Sequence, residues 1–96
     1  MSIPQHLVST TELLNRAYPS GVPEDEYLAL IRLLYPHMAD KNLSEAIAVV
    51  TGRPGGLVLN DVYRAADEGQ FAADLVATVQ GRLNAAGFQA WTEEES

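Results

Sequence analysis

A chain of 96 residues with 47% apolar composition and no cysteine has material for one hydrophobic core, and it excludes disulfides, thiolate metal sites and cysteine nucleophiles. Its net charge of −7 repels phosphate backbones and anionic lipid headgroups, which disfavours nucleic acids and membrane surfaces as partners. No run approaches the roughly 20 apolar residues of a membrane span, and MSIPQHLVSTTELL lacks the basic region and apolar run of a signal peptide; a soluble, cytoplasmic protein is expected.

The first helix is expected to end at Ala17. Ile3, Leu7, Leu14 and Ala17 recur at helical spacing, Ser2 can cap, and Pro4 suits a first turn. Pro19 disfavours helical backbone at Tyr18 and stops the helix there. The corner that follows, AYPSGVPEDEY, holds two prolines and a glycine between Tyr18 and Tyr27. Gly21 permits a reversal at positive φ. Pro23 fixes φ where the second helix starts. With Pro23 as the cap, Val22 and Tyr27 have the spacing of a hydrophobic staple. Glu24, Asp25 and Glu26 then occupy the first turn, where the helix dipole favours negative charge. The corner reads as a rigid helix–helix connection. Its alternative reading is a docking surface made of exposed tyrosine and an acidic rim.

In the second helix Tyr27, Leu30, Ile31 and Leu34 form one stripe, and Leu28, Leu33 and Tyr35 widen it. A helix apolar on most sides is expected to have neighbours on several faces. Pro36 ends it. The third helix carries Leu43, Ala46, Ile47 and Val50, with Asp40 as its expected cap and Gly52 as its stop. The run Leu57-Val58-Leu59 is compatible with a short strand or a helix start. Because no second strand is evident to pair with it, a helix is expected from about Asn60, with Leu59, Val62, Tyr63 and Ala66 on one face. The fifth helix places Phe71, Leu75, Val79, Leu83 and Ala86 on one face. Gly87 stands where a left-handed cap belongs, with Phe88 packing back on the last turn. Thr92-Glu-Glu-Glu-Ser96 reads as a frayed acidic tail. The expected fold is all-α: a compact bundle of about five short helices, in a single domain over residues 1–88, followed by an acidic tail over 89–96.

Ala17-Tyr-Pro-Ser-Gly-Val-Pro23, then Asp25-Glu-Tyr27 and the run Leu28-Ala-Leu-Ile-Arg-Leu-Leu34, resemble a family of small actinobacterial helical proteins catalogued as domain of unknown function 3349. Arg82-Leu-Asn-Ala-Ala-Gly-Phe88 is similar to that family's closing signature of an arginine–leucine pair, alanines, a glycine and an aromatic residue. The similarity spans residues 13–88. Tyr35-Pro36-His37 and Glu68-Gly69-Gln70 depart from the family's pattern. The resemblance implies an all-helical fold and brings no activity or catalytic residues with it.

The residues themselves point to no catalytic chemistry. His6 and His37 are far apart, with no HxxxH or HxxE spacing, so no metal site is expected. The serines at 2, 9, 20, 44 and 96 lack a GxSxG context. Thr51-Gly-Arg-Pro-Gly-Gly56 is glycine-rich but lacks the GK[ST] element of a phosphate loop, so Arg53 is expected on a surface turn. The acidic groups Glu24-Asp25-Glu26 and Asp67-Glu68 read as solvated faces. Ala65, Gly69 and Leu75 approximate helix-turn-helix spacing, yet Arg64, Glu68 and Gln70 stand where that motif needs apolar residues. The would-be reading helix presents Ala72, Ala73 and Asp74 rather than basic side chains. What remains is a non-catalytic domain with no cofactor, acting as a protein–protein interaction or adaptor module. A nucleic-acid-binding regulator is the alternative that the charge disfavours. The candidate interaction surface is Tyr18, Val22, Tyr27 and Trp91, together with the surplus apolar residues of the second helix. An unidentified protein partner, or a homodimer through the second or fifth helix, is expected.

Overall fold

The computed structural model describes residues 5–67 and 71–95. Six helices follow in order: α1 (Gln5–Ala17), α2 (Glu24–Leu34), α3 (Asp40–Thr51), α4 (Gly55–Asp67), α5 (Ala73–Ala85) and α6 (Phe88–Glu95), with a 3-10 turn, Tyr35–His37, after α2. No strand occurs among the described residues. The fold is all-α, and its radius of gyration of 12.3 Å is close to the ~13 Å of one compact domain of 100 residues. None of the described helices is long and apolar enough to cross a membrane. Ser2, Ile3, Pro4, Glu68, Gly69 and Gln70, which carry expectations above, lie outside the described residues.

The apolar stripes explain the packing. The principal helix contacts close into a ring in which α2 meets α4, α4 meets α3, α3 meets α1, α1 meets α5, and α5 returns to α2. Each of these five helices turns its stripe inward: Leu13 and Leu14 from α1, Leu30, Ile31 and Leu34 from α2, Leu43 and Ile47 from α3, Val58 and Val62 from α4, and Val79 and Leu83 from α5 are all fully buried. The sixth helix packs on α1 and α5.

The corner between α1 and α2 is a tight turn. The Tyr18 amide makes the last helical bond to the Leu14 carbonyl (2.9 Å), and the Gly21 amide closes the turn on the Tyr18 carbonyl (3.0 Å). Gly21 sits at φ 100, a backbone region that side chains with a Cβ avoid. Pro23 is the cap of α2, with φ −62 and ψ 145. Val22 packs against the core cluster that contains Tyr27, in keeping with the staple spacing.

Four boundaries differ from the sequence expectation. The fourth helix starts at Gly55 rather than Asn60, because the Pro54 carbonyl accepts the Leu57 and Val58 amides, both at 3.1 Å. Leu57-Val58-Leu59 is therefore helical, and the buried face is Val58, Val62 and Ala65 while Tyr63 is exposed. The cap of α3 is the backbone of Ala39, and Asp40 is the first helical residue with no side-chain capping bond. Phe71 precedes α5 instead of opening it. The acidic tail over 89–96 is replaced, through Glu95, by α6. Gly87 serves both helices, since its amide bonds back to the Asn84 carbonyl (3.2 Å) and its carbonyl accepts the Trp91 amide (3.0 Å). Trp91 supplies the reason for this last helix: it is 2% exposed, and burying an aromatic ring of that size stabilises the turn that carries it.

Candidate functional site

Three of the four residues nominated for an interaction surface belong to the core. Tyr18 and Tyr27 are each 4% exposed, Trp91 is buried beside them in the same cluster, and Val22 is half-buried. A large aromatic side chain with a polar tip is buried cheaply when that tip finds a partner, and each one does. The Tyr18 hydroxyl donates to Glu26 Oε1 (2.9 Å), the Tyr27 hydroxyl to Asp61 Oδ2 (2.8 Å), and Trp91 Nε1 to Thr10 Oγ1 (3.1 Å). These four residues therefore do not form an exposed docking face. Glu26 is a second correction: read as part of a solvated acidic turn, it is 6% exposed and also accepts a bond from Arg82 Nε at 3.0 Å. Among the described residues, no buried side-chain N or O atom lacks a hydrogen-bond partner. Among the described residues the interior thus presents no unsatisfied group to a ligand, and the surface is the next place for binding chemistry.

Two surface clefts flank α2, and its surplus apolar residues line them. Leu28 lines a polar cleft of about 270 Å³ with Glu24, Tyr27, Arg53, Asp61 and Arg64. Its charges neutralise one another. Arg53 pairs with Glu24, and Arg64 pairs with Asp61 at 3.0 Å. The Arg53 guanidinium also lies over the Tyr27 ring, 4.2 Å from its centroid. Arg53, expected on a free surface turn, thus clamps the start of α2, and the Glu24 carboxylate holds its guanidinium more firmly protonated.

Leu33 lines the other cleft, a groove of about 400 Å³ between α2 and α5. Its apolar wall is Ala29, Leu33, Pro36, Phe71, Val76 and Phe88, and its polar liners are Arg32, His37 and Gln80. One end is an aromatic cluster. His37 meets Phe88 edge-on (centroids 5.5 Å apart, planes at 86°) and Trp91 behind it (5.8 Å, 74°), while Phe88 and Trp91 stack at 5.6 Å. His37, read from the sequence as a surface histidine, is exposed but rests on this cluster. The groove's residues come from α2, the 3-10 turn, the segment before α5, α5 itself and the first turn of α6. Sequence reading missed the site as a whole. Its one visible signal was the excess of leucine on α2 beyond the stripe that the core uses.

Among the described residues, no group of three or more histidine, cysteine, aspartate or glutamate side chains is placed to hold a metal ion. No family model, curated protein or solved structure matches the chain.

Proposed function

We infer that the protein is a non-catalytic binding module that engages a partner protein through the groove between α2 and α5. One observation carries this reading: a groove of about 400 Å³ whose wall is mostly apolar and whose other side is solvent. Sites for small molecules enclose most of the ligand's surface. A trough with one open side instead suits side chains that project from a second protein, where a few apolar anchors in pockets supply most of the binding energy. The absence of cysteine suits a reducing, cytoplasmic setting for such a module.

Site-specific photo-crosslinking tests it. A photoreactive residue at Leu33, in the groove, is compared in the native cell with one at Val49, which is exposed on α3. A discrete adduct with another protein at Leu33 and none at Val49 is expected. Adducts at both positions or neither, or an adduct with twice the mass of the chain, would overturn the reading, the last in favour of homodimerisation.

A further inference from the structure

We propose, resting on the groove's being a docking site, that its occupant is an acidic–apolar segment of the partner: an apolar side chain with a carboxylate within one or two residues of it. The chain carries 13 acidic and 6 basic residues, yet among the described residues no carboxylate lines this groove. Arg16, Arg53, Arg64 and Arg82 each have a carboxylate oxygen within 4 Å. Arg32, which does line the groove, has none among the described residues. Arginine offers five N–H donors and no acceptor, so the group that completes it is an anion. His37, which lines the same groove, has a ring N–H to give, and the Gln80 amide spends one of its two N–H groups on Asn84 Oδ1 (3.0 Å). Leu33 and Phe88 supply the apolar surface within the same groove. The planar guanidinium of a single arginine matches a carboxylate through two parallel N–H···O bonds. The molecule's overall negative charge opposes an acidic ligand only weakly, because charges beyond about 8 Å are screened at physiological salt and Arg32 would be in contact.

The test uses the full chain and synthetic nine-residue glycine–serine peptides. Each has a central phenylalanine or leucine flanked on both sides by aspartate, asparagine or lysine. Binding is followed by amide chemical-shift titration at physiological salt, where the net charge of the chain is screened. The aspartate peptides are expected to bind about threefold more tightly than the asparagine peptides, the span of one exposed ion pair, with lysine weakest and the shifts concentrated on α2, α5 and the 3-10 turn. In Arg32→Gln the aspartate advantage should vanish while the asparagine affinity stays the same, an outcome that loss of structure would not produce. Equal aspartate and asparagine binding, or a preference for lysine, at groove amides would overturn the acidic segment and leave the groove reading standing. No shift at the groove amides with any peptide would overturn both.

Discussion

Glu26 receives two donors on one carboxylate oxygen, the Tyr18 hydroxyl and Arg82 Nε. Taking a carboxylate out of water is costly unless it is paired and hydrogen-bonded, and these partners come from the end of α1 and the last turn of α5. The network thereby joins three helices at one side chain. Glu26→Ala leaves the Tyr18 hydroxyl buried without an acceptor and should lower stability by about 2 kcal/mol. Glu26→Gln keeps an acceptor oxygen and should cost less. Urea unfolding midpoints check both. Tyr18 and Tyr27 give the molecule a sensitivity to alkali. Burial, then the bond each donates to a carboxylate and that carboxylate's charge, hold both phenols well above the ordinary phenol range. A phenol harder to ionise in the folded state than in the unfolded one adds stability that is fully present below the unfolded value, near 10, and is lost as pH rises beyond it. The urea midpoint should therefore fall above about pH 10. The Tyr18→Phe/Tyr27→Phe double variant should start lower and fall less. A wild-type midpoint that does not fall there would contradict the assignment.

The turn that joins α5 to α6 is the clearest case of an element resting on one backbone position. Gly87 has φ 100, and an added Cβ would meet only Arg16 Nη2, at 3.8 Å. The penalty for Gly87→Val is thus conformational rather than a clash, about 1–2 kcal/mol or more for a β-branched residue, and urea melts should show it. Arg16 reinforces the turn by donating from Nε to the Ala86 carbonyl at 2.8 Å. The left-handed glycine was legible in sequence because a helical stripe ended just before it. The helix that follows it and the burial of Trp91 were not, because three glutamates after Trp91 gave the segment the composition of a solvated tail. The stripes of α2 and α3 were readable since periodicity is a local signal. That of α4 was read a step out of phase, because Leu59 and Tyr63 look as buriable as Val58 and Val62, and only the ring of neighbours chooses between those faces. The groove was illegible for a related reason. Arg32 is distant in sequence from Gln80 and Phe88, and so are the partners in the pairs Glu26–Arg82 and Tyr27–Asp61 that complete the buried polar tips.

At the scale of the whole molecule, charge disfavours the nucleic-acid alternative. Four of the six cations are within 4 Å of a carboxylate, and only Arg32 and Lys41 have no such neighbour among the described residues. Affinity for duplex DNA grows with the number of phosphates neutralised, and two scattered cations on a surface of net charge −7 neutralise few. No useful binding is expected at physiological salt. Micromolar binding with a steep loss as salt is raised would reverse this expectation and favour a nucleic-acid role.

Trp91 is the chain's single tryptophan, and it stacks on the same Phe88 ring that lines the groove. Its ultraviolet emission therefore comes from one place, shielded from water in the folded chain and quenchable by the His37 ring beside it. The emission maximum should move to longer wavelength as urea unfolds the protein. If α6 undocks with the rest of the core, that shift will coincide with the loss of the helical dichroism signal. A shift at lower urea would mean that α6 opens on its own, as elements of low local stability do. A ligand seated against Phe88 should alter the same emission without any label, which makes the protein its own optical sensor of groove occupancy.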